Sequence, residues 1–368
     1  MNNYILPDVY IEKGLQEKRK NLESFSTLFL SFELTHKDME ESRNFIYLES
    51  ISEMMHHNCL QKDTLLTQAV RIYFENGGRH LYLMPQVEDI YILEDNSKYL
   101  TFLAKYLDSL IDIETVLTID IFVTKKFLLS DVKIQNIQNS ISTYCKSTNR
   151  LSLMDLPFDK DPIAYGSELY YTMSWYPWVM DKNKNLLPPS IYASALLSKL
   201  SSENRLFNSI ANIELQNVID TNVIMNRDEA TELYKNSINP IVYIQNNGYR
   251  IWGVRTLGDN IETSNVLRIF FFIKRKLLAI GKEYIFEPNN RTLEEKIIRK
   301  VRKFLFDLWN IGVLKGNSKE EAFDIQLERL ENQLVFKVAV SIVKPLEYMV
   351  IYLNRTSNDN LETELNVL

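Results

Sequence analysis

Between Asn44 and about Asn149 short apolar runs alternate with stretches of helical periodicity, and that rhythm restricts the chain to folds in which strands and helices succeed one another. The run TLFLSFEL up to Leu34 precedes it and reads as a strand. IYLESISEMM follows, then a helical stretch through Leu65, Ala69, Val70 and Tyr73, the turn Asn76-Gly77-Gly78, and the strand HLYLM. From Tyr99 to Leu110 apolar residues fall at i, i+3, i+4 and i+7, so a helix is expected there. LTIDIFV, Leu117 to Val123, reads as a buried strand, and Leu129 to Thr143 as a further helix. Leu151 to about Asp220 carries LSLMDLP, the aromatic run YYTMSWYPWV and the double proline Pro188-Pro189. The last third predicts a strand pair near Ile241 to Val254, helices from Ser264 to Ile280 and from Thr292 to Gly312, and strands from Leu334 to Val343 and Tyr348 to Leu353. The fold class expected is α/β, shading into α+β.

Ten glycines in 368 residues, against a usual share of about 7%, leave little material for phosphate-cradling loops. A net charge of −6 lacks the basic excess that drives binding to nucleic acid. Two cysteines, Cys59 and Cys145, make no disulfide framework and no CxxC pair, which fits a reducing compartment. Charges interrupt each apolar run well before the roughly 18 residues of a membrane helix, and no signal-peptide pattern opens the sequence. These features predict a soluble product of the cytoplasm, with neither nucleic-acid binding nor direct membrane insertion.

Catalytic or metal roles would have to use His36, His56, His57 and His80. The adjacent pair His56-His57 diverges on a helix, no i, i+4 zinc pair is present, and no GxSxG elbow or Cys-His context appears. No catalytic, cofactor-binding or metal residue is therefore assigned, and no cofactor is expected. The Asn76-Gly77-Gly78 turn reads as a supplier of positive φ. The aromatics Tyr170, Tyr171, Trp175, Tyr176 and Trp178 read as packing at a core edge or a subunit contact. The helix from Thr292 is expected to be amphipathic, with Leu293, Ile297, Ile298, Val301, Phe304, Leu305 and Leu308 on its apolar face and Lys296, Arg299, Lys300 and Lys303 on a mostly cationic outer face. That face is either solvated or docks on an acidic partner. At the chain ends, Pro7 with Val9, Tyr10 and Ile11 reads as an extended arm, and LETELNVL alternates apolar with polar. Each end either pairs within its own chain or adds a strand to a neighbour's sheet.

Several segments resemble the contractile tail sheath proteins of phages, R-type pyocins and extracellular contractile injection systems. The resemblance begins with Pro7-Asp8-Val9-Tyr10-Ile11-Glu12 and with Phe74-Glu75-Asn76-Gly77-Gly78 ahead of Tyr82. It continues through Leu153-Met154-Asp155-Leu156-Pro157, Tyr176-Pro177-Trp178, Pro188-Pro189-Ser190 and Ala211-Asn212. It is densest in Asn239-Pro240-Ile241, Trp252-Gly253-Val254-Arg255-Thr256-Leu257, Phe286-Glu287-Pro288-Asn289, Phe304-Leu305 with Leu308-Trp309, and Val343-Lys344-Pro345-Leu346-Glu347-Tyr348. The family's Cys-Asp is missing near Phe323 to Leu327, its paired arginine is reduced to Arg268, and its Trp after the FEPN segment is Leu293.

The resemblance implies a carboxy-terminal α/β domain that also takes in the chain start, an inserted domain, and extended terminal arms. In this chain that means an arm over 1–22, the first strand of the main domain over 23–43, the insert over 44–150, the main domain over 151–345 and a second arm over 346–368. It implies a structural subunit, not an enzyme, of a sheath that winds helically around an inner tube and contracts to drive the tube through a target envelope. A sheath-like cap or baseplate adaptor is the alternative, and a hydrolase a more distant one. The implied partners are further copies or paralogous sheath subunits, the inner tube protein, and baseplate and terminal cap proteins. The implied setting is a phage tail or tail-like particle made in the bacterial cytoplasm, including particles released from the cell. Val9, Tyr10, Ile11, Tyr348, Val350, Tyr352, Leu361 and Leu365 are the expected strand-exchanging residues, and Lys296, Arg299, Lys300 and Lys303 the expected tube-facing ones.

Overall fold

A computed structural model describes residues 26–39, 44–87, 89–108, 110, 112–124, 129–159, 161–162, 169–203, 205, 207–257, 262–284, 287–288, 290–330, 333–344, 350–355 and 361–366. Val9, Tyr10, Ile11 and Tyr348 lie outside these residues. The chain runs through β1 (Ser26–Ser31), β2 (Ile46–Leu48), α1 (Leu65–Glu75), β3 (Leu81–Pro85), α2 (Asn96–Leu107), β4 (Ile113–Thr118), α3 (Asp131–Thr148), β5 (Leu151–Met154) and β6 (Thr172–Tyr176). Next come a small antiparallel sheet of β7 (Val179–Asp181), β8 (Leu186–Leu187) and, after α4 (Pro189–Ser202), β9 (Val218–Thr221). Beyond α5 (Arg227–Lys235), β10 (Asn239–Ile244) joins β6 in parallel and β11 (Gly248–Ile251) pairs antiparallel with β10.

One eight-stranded sheet results, in the order β11-β10-β6-β5-β4-β1-β3-β2, parallel except at its two edge strands. It crosses both expected boundaries of the insert: β1 pairs with β3 and β4, and β4 with β5. Residues 44–150 therefore share a sheet with the segments on either side. A parallel sheet must be covered on both faces, and the alternation along β1 shows how. Phe29 joins one core with Leu81, Leu83, Leu117, helix α1 and helix α4. Leu28 and Leu30 join the other, with Met84, Val116, and Tyr99, Leu103, Ile137 and Ile141 of α2 and α3.

Helix α4 answers to no amphipathic pattern because almost its whole circumference is buried, from Pro189 to Ser201. Pro189 occupies its first turn, where a missing N–H costs nothing. The expected strand Leu117–Val123 is corrected: β4 ends at Thr118 and residues 119–123 turn away. Asp120 explains the exit, since its carboxylate accepts from Ser31 Oγ at 2.8 Å and from the N–H groups of Phe32 and Glu33, tying the ends of β4 and β1 together. At the end of β5, Asp155 likewise accepts from Ser190 N at 3.1 Å and Ser190 Oγ at 2.7 Å, fixing the start of α4. The Asn76-Gly77-Gly78 turn does more than reverse the chain. Gly77 takes φ +89°, Gly78 sits against the buried Tyr73 ring, and the Asn76 side chain clamps the backbone of Gln216.

The last third begins with α6 (Ser264–Lys282) and α7 (Arg291–Asn310), then α8 (Lys319–Ala322) and the hairpin of β12 (Phe323–Leu330) and β13 (Gln333–Val340). Ile269, Ile273 and Ile280 of α6 pack with the apolar stripe of α7, against which Ile325, Phe336 and Val338 of the hairpin lie. Two further strands, β14 (Val350–Arg355) and β15 (Leu361–Asn366), pair only with each other among the described residues.

Burial pushes the Asp155 carboxyl up to about 7 despite its hydrogen bonds to Ser190, from about 3.9 in an unfolded chain. The folded state keeps a proton that the unfolded state has released, so the stability this group contributes is full below about pH 4 and is lost as the pH rises through 7. Asp155→Asn, neutral at every pH and still an acceptor for Ser190, should melt at or above the wild type at pH 8, with the advantage shrinking toward pH 5. Thermal melts at the two pH values check this, and a variant that melts lower at pH 8 contradicts it.

Candidate functional site

Helix α7 presents the most distinctive surface. Its Asn290 N-cap accepts from Leu293 N at 3.0 Å, and Gly312 at φ +77° turns the chain away after its last residues. Leu293, Ile297, Val301, Leu305 and Leu308 are buried, which leaves Arg299, Arg302, Lys303 and Phe306 exposed along the opposite side.

The four expected cations separate into two kinds. Lys296 pairs with Glu287 at 3.4 Å, and Lys300 binds Glu283, whose hydrogen bond raises the lysine above its usual range. Both acids belong to the connection between α6 and α7, so these two lysines serve the chain's own turn. Arg299 and Lys303, joined by Arg302, make no ion pair among the described residues. Arg291 is taken by Glu295 at 3.1 Å. Exposed pairs of this kind are worth only about 0–1 kcal/mol, so the unpaired trio is the part of the face with charge to offer. Sequence reading missed the apolar component. Phe306, one turn past Lys303, is 38% exposed, and Ile311 at the helix end is 66% exposed, and the signal for Phe306 was an aromatic standing off the buried stripe.

The second kind of surface is a strand edge. In β14–β15, Ile351 faces Leu365, Tyr352 faces Glu364 and Arg355 faces Leu361, with Val350 opposite Asn366. In β12–β13 eight residue pairs run from Phe323↔Val340 to Leu330↔Gln333, and Lys337 bridges to Glu328 at 2.8 Å. Each is a two-stranded sheet among the described residues, and β12–β13 draws support from its packing against α7.

Among the described residues chemistry finds little foothold. The two aspartate–serine pairs, Asp120 with Ser31 and Asp155 with Ser190, are all but inaccessible, each residue at most 1% exposed. The four histidines lie elsewhere at or near the surface, His80 beside Tyr47 Oη at 2.6 Å. Among the described residues no cluster of three His, Cys, Asp or Glu could hold a metal, and no helix is long and apolar enough to cross a membrane. Most of the aromatic run is core: Trp175 and Trp178 are fully buried and donate to the carbonyls of Gly253 and Leu156, whereas Tyr170 is exposed under Lys146.

Comparison with known proteins agrees with this architecture. A prophage major tail sheath protein of Pseudomonas aeruginosa is 23% identical over 195 residues, 49% of this chain and 50% of the relative. The chain thus spans about half the length of that curated relative. Two solved structures share the fold. The helical sheath of the anti-feeding prophage in its contracted state superposes with a TM-score of 0.75 at 21% identity, covering 95% of this chain and 99% of the other. The contracted PVC sheath complex, an extracellular contractile injection system, gives 0.71 at 21% identity, covering 98% and 100%. The model for the phage tail sheath protein central domain matches residues 99–257 and that for the phage tail sheath C-terminal domain residues 258–354. With two consecutive family models accounting for residues 99–354, the chain belongs to the contractile tail sheath family.

Proposed function

We propose that the chain is a structural subunit of a contractile sheath, which polymerises helically around an inner tube and contracts to drive that tube through a target envelope. The observation that carries the reading is the pair of two-stranded hairpins in a chain of this family, since among the described residues each leaves edges that another chain can complete. The subunit works without catalytic turnover, a reading supported by the burial of both aspartate–serine pairs. Its partners are further copies or paralogous sheath subunits, the inner tube, and baseplate and cap proteins. Both chain ends act as arms, with Val9, Tyr10 and Ile11 at one end and the segment from Tyr348 through Val350, Tyr352, Leu361 and Leu365 at the other adding strands to neighbouring subunits.

Purified protein mixed with its tube protein should form long hollow sheaths in electron micrographs. A strictly monomeric species at high concentration, with and without tube, overturns the proposal.

The unpaired cations of α7 face the tube in this reading, with Phe306 supplying apolar contact. Arg299→Glu with Lys303→Glu should weaken co-assembly with the tube and steepen its salt dependence, because exposed charges are screened over about 8 Å at physiological ionic strength. Lys296→Glu should weaken co-assembly less, since it first breaks an internal pair with Glu287. Pelleting assays at low and high salt separate these outcomes, and unchanged co-assembly of the double variant identifies a merely solvated face.

Deleting residues 1–12 should leave a cooperatively melting body that fails to form long sheaths. Each backbone hydrogen bond across a strand is worth about 0.5–1.5 kcal/mol net, a small loss per subunit that multiplies along a lattice. Normal assembly and contraction of the truncated protein, or loss of its fold, would place the arm in the subunit's own core.

A further inference from the structure

One ion pair among the described residues is almost wholly buried. Arg268 on α6 and Glu114 on β4 are 154 residues apart in sequence and 0% and 1% exposed. The guanidinium grips the carboxylate with two bonds, Nε to Oε1 at 2.9 Å and Nη2 to Oε2 at 3.2 Å, and Nη2 also donates to the Leu197 carbonyl at 3.0 Å and to the Ser201 hydroxyl on α4. Glu114 occupies a special place in the sheet. Ser26 of β1 faces Ile113 while Thr27 faces Thr115, so Glu114 is the extra residue of a register shift. A bulge re-aims a side chain: Ile113 and Val116 both face the α2/α3 core, and Glu114 reaches the helix on the other face.

Helix α6 belongs to two cores. Leu267 and Phe271 pack into the sheet core with α1 and α4, whereas Ile269, Ile273 and Ile280 pack with α7 and the β12–β13 hairpin. Arg268 lies between Leu267 and Ile269, at the point where the helix is shared.

We propose that the Arg268–Glu114 pair is a rigid joint, which fixes the angle at which α6 leaves the α/β body and so sets the pose of α7 and the β12–β13 hairpin relative to the sheet. A buried charge pair adds little net stability over well-packed apolar residues, because desolvation offsets its attraction. What it adds is direction: a planar fork on a carboxylate tolerates little rotation, whereas apolar contacts allow a helix to roll and slide. In the proposed sheath role, on which this inference rests, the surfaces toward the tube and toward neighbouring strands sit on the far side of this joint. A loose angle would therefore be repeated at each subunit of the lattice. Arg268 and Glu114 are positioning residues, acting through α6 and not at any interface.

The test replaces the pair by apolar residues of similar size, Arg268→Met with Glu114→Leu, and separately trims the fork with Arg268→Lys. Each is compared with the wild type for melting temperature and, after assembly on tube protein, for the spread of subunit rotation and rise in cryo-electron images. The double variant should melt within a few degrees of the wild type, while Glu114→Leu alone should lose on the order of 5–10 °C. Sheaths of the double variant and of Arg268→Lys should show at least a twofold broader spread of subunit rotation and incomplete contraction. Uniform, fully contracting sheaths from a folded double variant or from Arg268→Lys overturn the joint. Should the double variant not fold, Arg268→Lys decides alone, and should it not fold either, the pair is a stability element and the joint is likewise overturned. A wild-type chain that forms no sheath refutes the functional reading instead, so the two failures are distinguishable.

Discussion

A sheet of parallel strands has to be buried on both faces, and most of this molecule can be understood as the cover. β1, β3, β4, β5, β6 and β10 run parallel, and their residues leave one core toward α2 and α3 and another toward α1 and α4. The second face is finished by the start of α6, through Leu267 and Phe271. The sheet therefore depends on a helix that lies outside its own sequence span, and the last third of the chain cannot be detached without uncovering apolar surface at about 25 cal/mol per Å². Continuity of the fold across residue 257, where the two family models meet, follows from this burial.

The same burial explains why so many polar groups sit inside. Each must find partners or cost several kcal/mol. Arg150 is fully buried and donates to the carbonyls of Leu107 and Leu110 and to Tyr144 Oη, which in turn donates to Asp108, so it closes the end of α2 onto α3. Asn239 bonds the backbones of Ser174 and Arg255 with both ends of its amide, and Gly253 is glycine because a Cβ there would lie 2.6 Å from that amide. These contacts join segments distant in sequence and discriminate between arrangements that apolar packing alone would leave close in energy.

How much of this could be read from residue order varies with the physics of each element. The helices α1, α2, α3, α6 and α7 carry one-sided apolar stripes and start within a few residues of the expected places. Helix α4 has no counterpart in the sequence reading because a helix buried all round has no stripe. Helix α5 was missed for the opposite reason, having no buried residue at all. The end of β4 was misplaced because the apolar run continues through Ile119 and Ile121, whereas Asp120 redirects the backbone by long-range bonds to β1 that no local pattern encodes. On α7 the sequence showed which charges point outward, but not that Glu283 and Glu287, across a turn, engage two of them. Ion pairing is a property of the fold, and charge counting along one helix cannot sort shared cations from free ones.

The two hairpins, each unpaired with any further strand among the described residues, raise the question of how such edges avoid clumping. Unpaired edges invite any extended chain, and natural proteins restrain them with charge. Here β15 reads LETELN and β12 reads FDIQLERL, each with acids interspersed among apolar residues, and Lys337 on β13 stands opposite Gln326. Flat, apolar, uncharged edges would pair in several registers, because a two-residue slip along a strand keeps the same face. Interspersed charge penalises those slips, since like charges brought opposite one another are destabilising by up to about 1 kcal/mol per pair. Several such positions along one strand select a single register out of the few that apolar alternation permits. Charge on these strands thus trades some intrinsic strand stability for fidelity of pairing, because each charged position that rejects a slipped register also gives up apolar contact.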